Sequence, residues 1–114
     1  MTDTSVLRGL VQGGWKDLAF EPFKAGVEAH WLQRDIPQMA LLRYAPGAAV
    51  ARHRHPGLET ILVLEGTQSD EAGTYRVGDV VLNPEGSEHS VWSTDGCVVL
   101  LQWAKPVEFV QAAT

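Results

Sequence analysis

The sequence contains one cysteine, Cys97, so it cannot form a disulfide within the chain. It also lacks any cluster of Lys or Arg, and its net charge is −5 with a pI of about 5.2. These charges argue against a nucleic-acid-binding surface and against binding to an anionic membrane. No apolar run approaches the roughly 18 residues that a membrane-spanning helix needs, so we expect no membrane partner. Cys97 lies in an apolar stretch, which favours a buried thiol over a metal ligand or nucleophile.

The beginning of the sequence, MTDTSVLRGLVQGG, has no basic stretch followed by a long apolar core. A secretory signal has both features, so we do not expect one here. Together with the scarcity of cysteine, this favours a soluble protein in the reducing cytoplasm. Residues 1–14 could form either a short helix or an extended arm, and the sequence leaves both alternatives open.

What the sequence does contain is typical of one folded domain spanning residues 1–114, with 45% apolar and 20% charged residues. Eleven Gly and six Pro recur at short intervals and leave little room for long helices. Short runs rich in Val, Leu and aromatic residues lie between these turn signals, including a turn expected at Glu65–Gly66. The pattern predicts an all-β sandwich or barrel. The predicted strands are 27–32, 39–44, 59–65, 79–83, 89–93 and 97–103.

A possible metal site lies in the segment RHRHPGLETILVLEG. Side chains alternate along a strand, so His53 and His55 project to the same side. A Pro-Gly pair then ends the strand, and a short turn can bring Glu59, at the start of the next one, back beside them. Two imidazoles and a carboxylate suit iron, manganese, nickel, copper or zinc. The alternative is that both histidines are exposed on an edge strand.

The other two histidines differ in their surroundings. His89 follows a Pro-Glu-Gly turn in GDVVLNPEGSEHSVWS and begins a predicted strand. Taken alone, it would be an ordinary loop residue. His30 has no histidine or acidic partner at metal-ligand spacing, so we interpret it as a residue of a strand or barrel wall.

Two consecutive patterns resemble the two motifs of the cupin superfamily. The first reads G-x5-H-x-H-x3-E-x6-G and the second G-x5-P-x-G-x2-H. Their fixed positions are Gly47, His53, His55, Glu59 and Gly66, then Gly78, Pro84, Gly86 and His89. Chance agreement with both motifs, one shortly after the other, is implausible.

The likeness extends over residues 12–104, which resemble ChrR-type cupins, a group that is also similar to acetylacetone-cleaving dioxygenases. This resemblance implies a double-stranded β-helix, that is, a jelly-roll cupin barrel. It further implies one divalent transition metal inside the barrel, whose identity (iron, zinc, manganese, nickel or copper) stays open. The ligands that it implies are His53, His55, Glu59 and His89.

The chain departs from the family pattern at three positions. Leu58 and Thr60 replace a Gly and a Glu on either side of the retained Glu59. Ser93 stands where the second motif often has Asn, a change that bears more on chemistry than on metal binding. The anti-sigma factor that names the group also has an upstream zinc-binding domain. This chain has no residues that match its ligands, so we do not expect sigma-factor binding.

Further residues are predicted to support the imidazoles or to line the pocket. Each metal-binding imidazole needs a partner for its second nitrogen, and the candidate side chains are Gln68, Ser93 and Gln102. Trp31 and Trp92 could line the pocket, although ordinary packing is the alternative for each of them. We expect the remaining tryptophans to plug the barrel or an interface.

Two functions are consistent with such a site. One is a small metal-dependent, non-haem oxygenase that acts on an oxygenated or diketone-like molecule. The other is a non-catalytic module that binds a metal or small ligand, or acts as a sensor, so whether the chain is an enzyme stays open. No G-x-S-x-G element supports nucleophilic hydrolysis. We expect a small-molecule ligand and a homodimer, in which the strand at residues 27–32 could add to a partner's sheet edge.

Overall fold

The computed structural model describes residues 3–110, and its regular structure is almost entirely β. A short 3-10 helix, Gly14–Asp17, precedes ten strands. The strands are β1 (Glu21–Lys24), β2 (Val27–Gln33), β3 (Gln38–Tyr44), β4 (Ala49–Arg54), β5 (Glu59–Asp70), β6 (Gly73–Arg76), β7 (Val80–Asn83), β8 (Glu88–Trp92), β9 (Cys97–Trp103) and β10 (Glu108–Phe109).

All strand pairings are antiparallel, and β5 takes part in two sheets. Its first half pairs with β9 and β7, and its second half pairs with β6 and β8. The first sheet therefore runs β1-β2-β3-β9-β5-β7 and the second runs β6-β5-β8-β4-β10. The two sheets enclose one core, to which Ala29, Leu42 and Ile61 contribute from the first sheet and Val50 and Val91 from the second. The predicted all-β jelly-roll barrel is confirmed.

The passage of β5 between the sheets corrects one prediction. The expected turn at Glu65–Gly66 is wrong, because the strand continues to Asp70. A register shift opposite β9 lies between Val63 and Glu65, and Gly66 has a positive φ of 69°. Such a bulge bends a strand without ending it. The sequence also missed β1, β6 and β10, which are too short to show an apolar alternation.

The N-terminal segment is neither a regular α-helix nor a free arm over its described part. Residues 8–13 form turns that lead into the 3-10 helix, while residues 1–2 lie outside the described range. Trp15 packs against Leu41, Leu64 and Val98 on the outer face of the first sheet. This second apolar cluster covers the sheet from outside, whereas Trp103 belongs to the barrel core.

The expected route to a dimer through residues 27–32 is only partly open in this structure. β2 pairs with β3 on one side, and on the other side β1 pairs with Val27–Ala29, so the first part of that edge is already used. The edge strand β1 is short and contains Pro22, which makes it a poor template for pairing. At the opposite edge, β7 leaves Val80 and Leu82 exposed. Within residues 3–110, no helix is long and apolar enough to cross a membrane.

Candidate metal centre

Three histidines from two paired strands meet inside the barrel. His53 lies on β4 directly opposite His89 on β8, and His55 follows the end of β4. All three are buried, with exposed fractions of 5%, 6% and 1%, respectively. One ring nitrogen from each lies within 4.8 Å of the others. The three histidines could therefore hold a metal ion.

The tautomers of His53 and His89 follow from their hydrogen bonds. His53 Nδ1 donates to the Ala51 carbonyl oxygen at 2.8 Å, and His89 Nδ1 donates to the Asp70 carboxylate at 2.9 Å. In the neutral imidazoles, both Nε2 atoms then carry lone pairs, yet they face each other at 3.1 Å. Two nitrogen ligands of one ion lie about 3.0–3.4 Å apart when each bond is about 2.1 Å. A shared cation would relieve their repulsion.

In His55, too, Nε2 is the nitrogen that carries the lone pair. Its Nδ1 atom donates to Ser87 Oγ at 2.9 Å, since that hydroxyl uses its own proton for the Pro84 carbonyl oxygen at 2.6 Å. His55 Nε2 is buried and has no hydrogen-bond partner among the described residues. A buried nitrogen without a partner is costly, and a metal ion would satisfy it. The residues present therefore fit a bound metal.

Glu59 brings a negative charge to the three imidazoles. It is the first residue of β5 and is 3% exposed. Its Oε1 atom lies 3.1 Å from His55 Nε2 and 3.8 Å from His89 Nε2. Burial alone would raise the pKa of this carboxyl, but the contact with His55 and the charges of the histidines hold it below its usual value. Glu59 is therefore an ionised carboxylate at neutral pH.

Two donors orient this carboxylate, and sequence reasoning found neither. Trp103 Nε1 donates to Glu59 Oε2 at 2.6 Å, and Asn83 Nδ2 donates to Oε1 at 2.9 Å. Both residues lie directly opposite Glu59, on β9 and β7. Their positions follow from strand register, which no local pattern reveals. Ser87 could have been found, because it precedes His89 by two residues and so shares its side of the chain.

Asp70, at the other end of β5, was also missed. Its Oδ2 atom accepts from His89, while Oδ1 accepts from the backbone of Ala72 and Gly73 and from the Tyr75 hydroxyl. Burial would raise the pKa of Asp70, but these hydrogen bonds, with that from His89 foremost, keep it below its usual value. Burial and Asp70 together raise the pKa of Tyr75 to about 12.

Protonation of His53 is disfavoured. Burial lowers the pKa of His53, and the nearby imidazoles of His89 and His55 lower it further. A neutral imidazole is the form that binds metals.

None of the three side chains predicted to support the imidazoles is the hydrogen-bond partner of an Nδ1 atom. Gln68 is buried and lines the cavity, where it contacts the Tyr44 hydroxyl. Ser93 is buried, but its hydroxyl donates to the Thr67 carbonyl oxygen at 2.7 Å. Gln102 is exposed on the outer face of β9, so its predicted role is corrected. Ala51, Ser87 and Asp70 hold the imidazoles instead.

The two tryptophans predicted to line the pocket do not lie in the cavity. Trp92 is 37% exposed and its side chain points outwards, since the strand face of His89 and Val91 is the buried one. Trp31 lines a groove beside the cavity instead. His30, on β2, donates from Nδ1 to the Ala19 carbonyl oxygen at 2.7 Å and stays outside the site.

The cavity above the histidines is small and mostly apolar. Its volume of about 30 Å³ leaves room for one or two water-sized groups. Leu42, Ile61, Val91 and Leu101 form much of its wall, and Phe109 closes one side. The Phe109 ring lies 5.8 Å from that of His53.

Two solved structures share this fold. One is an acetylacetone dioxygenase from Acinetobacter johnsonii, with a TM-score of 0.76 and 16% identity over 81% of this chain and 72% of that chain. Another is the polyketide cyclase RemF from Streptomyces resistomycificus, with a TM-score of 0.72 and 15% identity over 99% of this chain and 88% of that chain. Identities this low show the fold alone, and one fold can host several chemistries.

A curated relative and a family match place the sequence more closely. The anti-sigma-E factor ChrR of Cereibacter sphaeroides is 31% identical over 97 residues, which are 82% of this chain and 46% of that protein. The chain thus spans about half the length of this relative. Residues 11–107 match the ChrR cupin-like domain, in agreement with the resemblance predicted from the two histidine motifs. The chain belongs to the ChrR cupin-like domain family.

Proposed function

We propose that this chain is a metal-dependent cupin that acts on a small oxygenated molecule, such as a diketone, as a non-haem oxygenase. The proposed ligands are His53, His55, Glu59 and His89. The observation that carries the proposal is the convergence of three Nε2 lone pairs, of which that of His55 has no partner among the described residues.

The donor set is compatible with iron, manganese, nickel, copper or zinc. Bound iron would supply chemistry with O₂, whereas zinc would supply Lewis acidity. Three neutral imidazoles and one carboxylate would leave one net positive charge on a divalent centre, and this charge favours an anionic, chelating ligand such as an enolate.

The protein's own contribution is to hold the donors and to keep water away. Trp103 and Asn83 fix the orientation of Glu59, and the apolar wall leaves little room for bulk water. In such surroundings, charged contacts to a ligand are stronger than in water. The cavity volume restricts what enters to a small end group.

A non-catalytic binding or sensory module is the second candidate. It is favoured by the similarity to a protein named as an anti-sigma factor. Among the described residues lining the cavity, the titratable side chains are Tyr44 and the candidate ligands. Burial raises the pKa of Tyr44 far above its usual value, so it is a poor general base. We do not extend sigma-factor binding to this chain, because less than half of that relative is matched.

Three further proposals concern the association, the ligand and the cellular setting of the protein. We propose a homodimer, now through the β7 edge instead of β2, and a small-molecule ligand as the natural partner. A reducing, cytoplasmic setting stays our proposal on the basis of the single thiol, which is buried.

Metal analysis tests the site. The purified chain, or the chain reconstituted with iron or zinc, should bind about one equivalent of metal. A variant with both His53→Ala and His55→Ala should lose it, whereas the control variant His30→Ala should keep it. If neither the unaltered chain nor the control binds metal after reconstitution, the proposed site does not exist.

Oxygen consumption separates the two candidate functions. The iron-loaded chain should consume O₂ when β-diketones are added, and the double histidine variant should not. Metal binding without O₂ consumption across a broad set of chelating substrates would favour the non-catalytic module.

A further inference from the structure

The cavity is too small to hold a whole substrate. Its volume of about 30 Å³ admits one or two water-sized groups. A ligand whose donor end reaches the histidines must therefore keep most of its body outside. The space that receives this body must adjoin the cavity.

A groove beside the cavity meets this condition, and we call it the aromatic groove. It shares Phe23, Trp103, Val107 and Phe109 with the cavity and extends to Trp31. Its volume is about 190 Å³, and a cavity of about 150 Å³ is known to accommodate benzene. The aromatic groove therefore has room for one ring and a short side chain.

Aromatic side chains form the floor of this groove. The rings of Phe23, Trp31 and Trp103 lie 5.9–6.3 Å apart, centroid to centroid. Trp31 is partly exposed, so a ligand can reach it, although the Arg34 guanidinium also lies 5.1 Å from the centroid of its ring. Rings in this distance range attract a further flat ring beyond the gain from burial alone.

Two polar residues, Lys24 and Gln38, line the aromatic groove, and Lys24 is the cationic one. The Lys24 ammonium lies 4.3 Å from the centroid of the Phe109 ring and 5.8 Å from that of Phe23. Within residues 3–110, Lys24 forms no ion pair, whereas four arginines do. Its charge is thus available to an anion that lies against the aromatic rings.

We propose that the aromatic groove binds the ring of an aromatic carboxylate, with the carboxylate paired to Lys24. The inference deepens the proposed function, because oxygen donors on the far side of such a molecule could pass Phe109 into the cavity. The ring and carboxylate contacts themselves do not depend on a metal.

Matched ligands test the proposal on the unaltered chain. We would measure the binding of trans-cinnamate by titration calorimetry, with the chain freed of metal by a chelator and, separately, loaded with zinc. Cinnamamide lacks the charge, and 3-cyclohexylpropanoate lacks the flat ring. Each should bind about fivefold more weakly than cinnamate, from the loss of an exposed ion pair and of aromatic stacking, respectively.

Matched variants locate the site. Lys24→Gln and Trp31→Leu should each weaken cinnamate binding about fivefold for the same reasons. The controls Lys16→Gln and Trp92→Leu change the same residue types away from the groove and should leave the affinity unchanged. Lys24 is exposed, so its variant should fold even if replacement of Trp31 disturbs the aromatic cluster.

The outcomes separate this proposal from the proposed function. Absence of cinnamate binding, equal affinity for all three ligands, or equal effects of the variants and their controls would overturn the proposal. If metal still binds in that case, the metal centre is supported and only the groove is rejected. Cinnamate binding by a chain that takes up no metal would support the groove and reject the metal centre.

Discussion

At the scale of single residues, Asp70 links a turn to a candidate metal ligand. Its Oδ1 atom accepts three donors, from Ala72, Gly73 and Tyr75, and its Oδ2 atom accepts the Nδ1 proton of His89. The carboxylate therefore sets the tautomer in which His89 Nε2 is free to bind a metal.

Replacing Asp70 with Asn should invert this tautomer. The three donors around Oδ1 keep the amide oxygen on their side, so the amide nitrogen faces His89 Nδ1 and donates to it. Neutral His89 then carries its proton on Nε2. We expect the metal affinity of Asp70→Asn to fall by about 10–100-fold, as measured by competition with a chelating dye.

Tyr75→Phe is the matched control, because it removes a neighbour of Asp70 and leaves the contact with His89. Its metal affinity should change by less than that of Asp70→Asn. An unchanged affinity in Asp70→Asn would show that the Asp70–His89 contact does not control the site.

Cys97 should be unreactive in the native chain. Burial raises the pKa of its thiol to about 11 from an ordinary value of 9.0, and the thiolate is the reactive form. A disulfide reagent at pH 8 should modify the native chain at least about 100-fold more slowly than the urea-unfolded chain. Equal rates would show that the thiol is accessible.

The raised pKa of Cys97 also predicts how the stability of the chain depends on pH. Since the folded pKa lies above the unfolded one, the unfolded thiol loses its proton first as the pH rises. The contribution to stability is therefore complete below about pH 9 and is lost as the pH rises through about 11. Between pH 8 and pH 10, the free energy of unfolding measured in urea should decrease less for Cys97→Ala than for the unaltered chain.

At the scale of elements, strand β5 connects the two sheets and carries a site residue at each end. Glu59 begins it and Asp70 ends it, one pairing within the first sheet and the other within the second. This path depends on the bulge between Val63 and Glu65 and on the positive φ of Gly66. A Cβ atom there would lie 2.0 Å from the Gly96 carbonyl oxygen.

Gly66→Ala should therefore be strongly destabilising. The clash and the positive φ of 69° together should lower the free energy of unfolding by about 3 kcal/mol. Urea unfolding measures this change. Gly78→Ala, with φ of 91° but no atom within 4 Å of the added Cβ, should cost only about 1 kcal/mol. Equal losses of stability in the two variants would show that the positive φ, and not the clash, causes the effect.

At the scale of the whole molecule, the edges of the barrel bear on association. β7 is an edge strand with Val80 and Leu82 59% and 62% exposed. Exposed apolar edges favour pairing between copies. Sedimentation at micromolar concentration should show a dimer for the unaltered chain and a monomer for Leu82→Glu. Val11→Glu, an exposed change on the N-terminal segment, should remain dimeric, and a monomeric unaltered chain would refute the proposal.

Much of the fold was predictable because its signals are local. Short apolar runs between Gly and Pro located six of the strands, and the alternation of β4 placed His53 and His55 on one side. β5 was misjudged at Glu65–Gly66, because a bulge glycine and a turn glycine look alike in sequence. Gln102 was misplaced because the orientation of β9 depends on its neighbours.

By itself, the sequence determined the family, the all-β fold and the group of histidines with Glu59, since these depend on spacings of a few residues along one strand or turn. The tertiary structure alone decided which groups hold that cluster. Trp103 and Asn83 are distant in sequence from Glu59, and Asp70 is distant from His89, yet strand register and the β5 bulge bring each of them into contact with its partner. Long-range register is a property of the assembled sheets, so no local pattern specifies it.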